Sequence, residues 1–304
     1  YTAYYQIFPS DKTEEIIEME ADRMKNLVLT KNLVQVEKKV ILEERFQRID
    51  SDPSSILDES MRQVLFPNSY YGRPIIGWKS EIENLNYDDV IDFYEKNYSP
   101  DRAVLILTGD ITLKKAKKLV NKYFGDLKKI KNNSQIFTKD PDLKTSVTIE
   151  HTNSDIKQPI WKKLYRVNSY NNSIKEGIAL DIGLKILLGG TTSLLYDKLV
   201  NKEKFFSMVG GFYQGLAKQN GYVYLYAIPL KDLDIKKIDE ILTKEIEIAV
   251  REKIEPEMLD IEKKRYLYNS IYRMDGILKP AEIIGEAIST GLKLNEIENW
   301  NNNL

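Results

Sequence analysis

Along the first 130 residues the apolar side chains recur mostly at helical spacing. Ile17, Ala21, Met24 and Val28 follow Pro9-Ser10-Asp11, and Glu14 stands three residues after Asp11 as in a capping box, so a helix is expected there. Thr30-Lys31-Asn32 interrupts it, and a second helix runs to about Ile49 before Asp52-Pro53 stops it. Further helices are predicted from Ser55 to Phe66, from Asn86 through Tyr98 with Val90, Phe93 and Tyr94 inward, and from Thr112 to Phe124, where Gly125 suits a left-handed cap. Tyr1 to Phe8 alternates like a strand, and Ala103 to Thr108 has the pattern of a buried one.

After a polar, Asn/Lys/Asp-rich stretch from Lys128 to Lys144, the expected linker, the same kind of material returns. Strands are predicted around Val147 to Glu150 and Pro159 to Arg166, then a helix from Ile174 to Leu188, a turn at Gly189 to Ser193 and a short helix to Val200. A hairpin follows, Phe206 to Gln214 with Tyr222 to Pro229, in which Tyr222, Tyr224 and Tyr226 share one face. A half-buried core face is the commoner use of such tyrosines, so the hairpin is not assigned as a site. Helices close the sequence at Ile235 to Glu252, Pro256 to Arg273 and Pro280 to Leu292. Strands followed by a block of helices, twice over, predict an α+β fold of two similar α/β units, residues 1–130 and 145–304.

Composition narrows the function mainly by exclusion. The 304 residues are 42% apolar, enough for real cores, and 45 basic residues nearly cancel 46 acidic ones, so no field argues for nucleic acid or an anionic membrane. No apolar run approaches the roughly 18 residues that span a bilayer. The absence of cysteine removes disulfides and thiolate metal sites. The chain opens without Met or a signal segment and stops at Asn301-Asn302-Asn303-Leu304 just after a helix start, so it is expected to be a piece of a longer polypeptide.

The candidate chemistry lies in the second helix. At 100° per residue, with Leu33 at zero, Val40 falls near 340°, Glu44 near 20°, Glu37 near 40° and Ile41 near 80°, all about, so two carboxylates interrupt one apolar stripe. If that stripe faces inward, the acids need a cation, a metal or a proton, because burying an unpaired carboxylate costs several kcal/mol. They stand about 10 Å apart along the axis, too far to share one ion, which suits one ligand and one supporting acid. Pairing to arginine is the plain alternative, with Arg48 four residues after Glu44 and Arg45 adjacent. The single histidine, His151, is expected to be an ordinary polar residue at a strand end.

Several motifs in fixed order resemble the M16 family of zinc peptidases, the group that contains pitrilysin, insulysin and the mitochondrial processing peptidase. They are Tyr1-Thr2-Ala3-Tyr4-Tyr5, Glu20-Ala21-Asp22-Arg23-Met24, Val40-Ile41-Leu42-Glu43-Glu44-Arg45, Tyr71-Gly72-Arg73-Pro74-Ile75-Ile76-Gly77-Trp78, Tyr94-Glu95-Lys96-Asn97-Tyr98-Ser99-Pro100 and Leu107-Thr108-Gly109-Asp110. The second half, with Leu187-Leu188-Gly189-Gly190-Thr191-Thr192-Ser193-Leu194-Leu195-Tyr196, is similar to that family's degenerate second domain. The resemblance implies a LuxS/MPP-like metallohydrolase fold and a zinc endopeptidase acting on unfolded peptides. Two histidines of an inverted His-x-x-Glu-His motif bind the metal there and the glutamate between them activates water. By the same resemblance Glu44 is the third zinc ligand and Glu37 the acid that supports catalysis at the site. The histidine motif belongs roughly seventy residues before Glu44, about thirty before Tyr1, so this chain alone is expected neither to hold Zn2+ tightly nor to hydrolyse peptides.

The substrate-gripping arginine and tyrosine of many family members correspond here to Val200 and Ser207, which offer neither a guanidinium nor a phenol. The resemblance therefore implies a second M16-type subunit that supplies the pair, and bacterial relatives suggest the periplasm. A metal-free M16-like scaffold and a plain binding protein with both acids paired to arginine are the competing expectations.

Overall fold

The computed structural model describes residues 1–130, 138–230 and 233–304. Residues 131–137 of the expected linker lie outside the described residues. The chain is α+β, rich in helix with one small antiparallel sheet, and it divides into two compact units: Tyr1–Ile149 with Gly276–Gly285, and Glu150–Asp275 with Glu286–Leu304.

The first unit contains helices α1 (Thr13–Asn26), α2 (Lys31–Arg45), α3 (Pro53–Leu65), α4 (Lys79–Asn84), α5 (Tyr87–Asn97) and α6 (Leu113–Phe124). Local caps start most of them. Thr30 accepts from the Leu33 amide at 3.2 Å, Asp52 accepts from the Ser54 and Ser55 amides at 3.2 and 3.1 Å, and Asn86 with Asp89 forms a capping box. The predicted box at Asp11 and Glu14 is absent, because Ser10–Lys12 forms a 3-10 turn and α1 begins without a side-chain cap. Ile17 and Ala21 of α1 and Leu119 of α6 are buried where these helices pack, and Lys122 reaches Glu14 at 2.8 Å beside them. Gly125 ends α6 at φ −62°, not in the left-handed region: its amide continues the helical pattern by donating to Asn121 O.

The strands expected at Tyr1 to Phe8, Ala103 to Thr108 and Val147 to Glu150 have no ladder. Alternation shows only that one face could be buried; a strand also needs a partner edge, and no described segment provides one. Val104, Leu105 and Val147 are accordingly exposed.

The second unit is built on β1 (Trp161–Val167), α7 (Ile174–Leu188), α8 (Leu194–Tyr196), β2 (Phe206–Gln214), β3 (Gly221–Pro229), α9 (Ile235–Ile248), α10 (Pro256–Arg273), α11 (Leu278–Thr290), whose first residues belong to the other unit, and α12 (Leu294–Glu298). The sheet order is β1-β3-β2, with Trp161 opposite Ala227 and Phe212 opposite Tyr224. Period-two alternation puts Val223, Leu225 and Ala227 on the face that packs with Ile178, Ile182 and Leu188 of α7. Leu195, Leu199 and Phe206 complete a core in which each fully buried aliphatic or aromatic side chain contributes about 1.5–3 kcal/mol.

Candidate functional site

Helix α2 carries both residues singled out above, so the way it is rotated decides what they can do. Its buried face is Val34 and Arg45, flanked by the partly buried Lys38, Ile41 and Leu42. Leu33, Val36 and Val40 are each 53% exposed, and Glu37 is exposed beside them. The expectation that the stripe with the two acids faces inward is therefore corrected: the helix is turned about a quarter revolution, and the acids lie on an open face.

The covered side carries Val34, Ile41 and Leu42 together with two anchored cations. The Arg45 side chain, in a residue only 5% exposed, donates to both oxygens of Glu59 on α3 at 3.0 Å and to the Gly77 carbonyl at 2.7 Å, and pairs with Asp50 at 3.1 Å. Gly77 stands at φ +91°, a conformation that favours glycine, in the turn that offers this carbonyl. The bonds that Arg45 donates to Glu59 raise its pKa above the ordinary value against the opposing effect of burial. Such a fork-to-carboxylate pair cannot be turned outward without stranding Glu59. Lys38 acts on the same side, donating to the carbonyls of Glu83 and Leu85 at 3.0 and 3.2 Å, where α4 ends. Neither the short helix α4 nor these anchors was anticipated from sequence; the only local signal is that each acid is followed at once by a cation, Glu37-Lys38 and Glu44-Arg45.

Glu44 is half-exposed and its Oε1 accepts from Arg48 at 2.9 Å, so the arginine alternative holds for this residue. Arg48 is itself 74% exposed, and such a surface pair contributes no more than about 1 kcal/mol. A carboxylate oxygen is one of the donor types that zinc takes. It does not make a site: among the described residues no group of three His, Cys, Asp or Glu is placed to hold a metal ion. His151 is half-buried, with a buried Nε2 that has no hydrogen-bond partner, and belongs to no such group.

The other positions singled out lie in the second unit. Val200 packs against its core, and Ser207 Oγ donates to the Ile228 carbonyl at 3.2 Å beside an irregularity in β2. Tyr222, Tyr224 and Tyr226 are on the side of β3 opposite its buried residues, half-covered by one another and by Phe212, which stacks on Tyr224 at 5.0 Å. They are half-buried, as expected, but outside the apolar core.

The family description "Peptidase M16 inactive domain" matches residues 84–266. Among characterised sequences the chain is similar to the zinc protease PqqE of Helicobacter pylori, 27% identical over 256 residues, which are 83% of this chain and 56% of that protein. It is also similar to the mitochondrial-processing peptidase subunit beta of Lentinula edodes, 29% identical over 126 residues, 41% of this chain and 27% of that protein. The chain thus spans about half the length of the first of these relatives and less of the second. A crystal structure of a protease from Helicobacter pylori shares the fold, with a TM-score of 0.88 at 20% identity over 97% of this chain and 71% of that one. With the match covering more than half of its length, the chain belongs to the M16 peptidase family, and residues 84–266 are the part that matches its inactive domain.

Proposed function

We propose that this chain is the larger part of a zinc-dependent M16 endopeptidase subunit. In this reading, residues 1–130 form a first domain that carries the third zinc ligand, and residues 145–304 form the degenerate second domain. Glu44 is the ligand and Glu37 the supporting acid, and the remaining ligands and the general base lie outside this sequence. The chemistry attached to such a site is hydrolysis of a peptide bond by a zinc-activated water. The observation that carries the reading is the coincidence of family membership with two acids two turns apart on one open face of α2. A surface pair as weak as Arg48–Glu44 is no barrier to this role, because a divalent ion outcompetes it.

The partner follows from Val200 and Ser207. Neither supplies a charged or phenolic grip on a peptide, so we assign the Arg/Tyr pair to a second M16-type subunit and the parent to a heterodimer. The name of the fungal relative, a subunit, supports this assignment. No helix among the described residues is long and apolar enough to cross a membrane. The periplasm is proposed on family resemblance alone.

The test compares this chain with the longer polypeptide, each with and without the second subunit, on an unstructured peptide. The chain alone is expected to bind no zinc and to leave the peptide intact, and the longer polypeptide to cleave it only with the second subunit and only without chelator. Cleavage by the chain alone, or a longer polypeptide free of zinc, contradicts the reading.

A further inference from the structure

The second unit holds a half-buried carboxylate for which the peptidase reading has no use. Asp181 stands four residues after Gly177 on α7, so the two share a face. Beside Gly177 lies the buried ring of Tyr170, whose amide donates to Gly215 O at 3.0 Å. A methyl group on Gly177 or on Gly215 would come within 2.6 Å of this ring, so two glycines clear its seat. The Tyr170 hydroxyl donates to Asp181 Oδ2 at 2.7 Å, and its ring meets Trp300 at 4.8 Å and Tyr213 at 5.3 Å, both edge-on. Trp300 opens the 3-10 turn Trp300–Asn303, and its Nε1 donates to the Tyr266 hydroxyl of α10 at 3.0 Å. The Tyr266 hydroxyl in turn acts on that of Tyr170. Turn, loop, α7 and α10 are thus joined through polar groups that end on one carboxylate.

The titratable groups around Asp181 are Tyr170 of the loop, Tyr213 of β2, Lys185 of its own helix, and Tyr266 and Arg273 of α10. Burial holds the Asp181 pKa above the ordinary 3.8, against the Tyr170 bond and the two cations, which favour the charge. Burial also raises the three tyrosines, so they stay protonated while Asp181 titrates.

We infer that Asp181 is a proton-operated latch: neutral, it fastens the turn Trp300–Asn303 to α7 and α10, and ionised, it eases that hold. A neutral carboxyl still accepts from Tyr170 through its carbonyl oxygen, whereas the ionised one adds a desolvation cost to every contact that keeps water out. A group whose pKa is raised on folding contributes stability that is full below 3.8 and is lost as pH rises through the folded value. Asp197, held below the ordinary value by its bond from Lys202, has the opposite sign. The latch does not depend on the zinc reading.

The test uses this chain and two readouts: the indole N–H resonance of Trp300, identified among the three tryptophans by Trp300→Phe, and the thermal midpoint. In the parent the resonance is expected to follow pH with a half-way point above 3.8, and in Asp181→Asn to stay still. The thermal midpoint of Asp181→Asn relative to the parent is expected to rise by about 2–4 °C from about pH 4 to about pH 8, since only the parent acquires the buried charge. Tyr266→Phe removes the hydroxyl that accepts from Trp300 and is expected to uncouple the resonance from pH with Asp181 intact. If that variant does not fold, Asp181→Asn, which keeps both shape and acceptor, decides. A Trp300 resonance that ignores pH in the parent, or follows it equally in either variant, overturns the latch, as does a relative midpoint that is flat or falls with pH.

Discussion

Glu59 is the residue on which the buried charge of the first unit depends most. Its two oxygens take both arms of Arg45, and its side chain is 12% exposed, so solvent cannot replace it. Removing one member of a buried pair leaves the other charge without compensation, which typically costs several kcal/mol. Asp50 and Gly77 O remain, so Glu59→Leu is expected to destabilise the chain by roughly 3 kcal/mol, read as a lower urea midpoint at unchanged slope. A shift of a few tenths of a kcal/mol would show that Arg45 is solvated in solution. None of this was legible in the sequence near Arg45, because its partners are 5, 14 and 32 residues away. The acids themselves were legible at once; the direction in which they face was not.

Among the elements, those with chemistry written into neighbouring residues were the easiest to foresee. Asp52-Pro53 both ends the turn after α2 and starts α3, since proline suits the first position of a helix and aspartate the cap before it. Asp52→Ala is expected to cost about 1 kcal/mol and to fray the first turn of α3, which amide exchange at Ser54 and Ser55 would report. Unchanged protection there would mean that tertiary packing, not the cap, holds the turn. The hairpin of β2 and β3 was legible for the same reason: its alternation and its turn lie within one stretch of sequence. The strands expected at Tyr1 to Phe8, Ala103 to Thr108 and Val147 to Glu150 failed because a ladder depends on an edge elsewhere, which no local pattern encodes. Helix α2 shows the third case. Its existence was local, but the face it covers holds, beside Val34, Ile41 and Leu42, two anchored cations that a hydrophobic wheel counts as solvent-facing.

At the scale of the whole molecule, the α+β class was readable from the order of strand-like and helical stretches, and the family from many short motifs in a fixed order, from Tyr71-Gly72-Arg73-Pro74 to Gly189-Gly190-Thr191-Thr192-Ser193. The division of labour is a different matter. The second unit has a continuous apolar core around α7 and the sheet, as a scaffold requires, and no described group of residues in either unit forms a metal site. In the proposed reading Glu44 is one ligand of a zinc site whose other ligands lie outside this sequence. The most direct measurement is the zinc-to-protein ratio of the longer polypeptide and of its Glu44→Gln variant after dialysis against a weak chelator. About one zinc is expected in the parent and a substoichiometric amount in the variant. Equal zinc in both would contradict the reading.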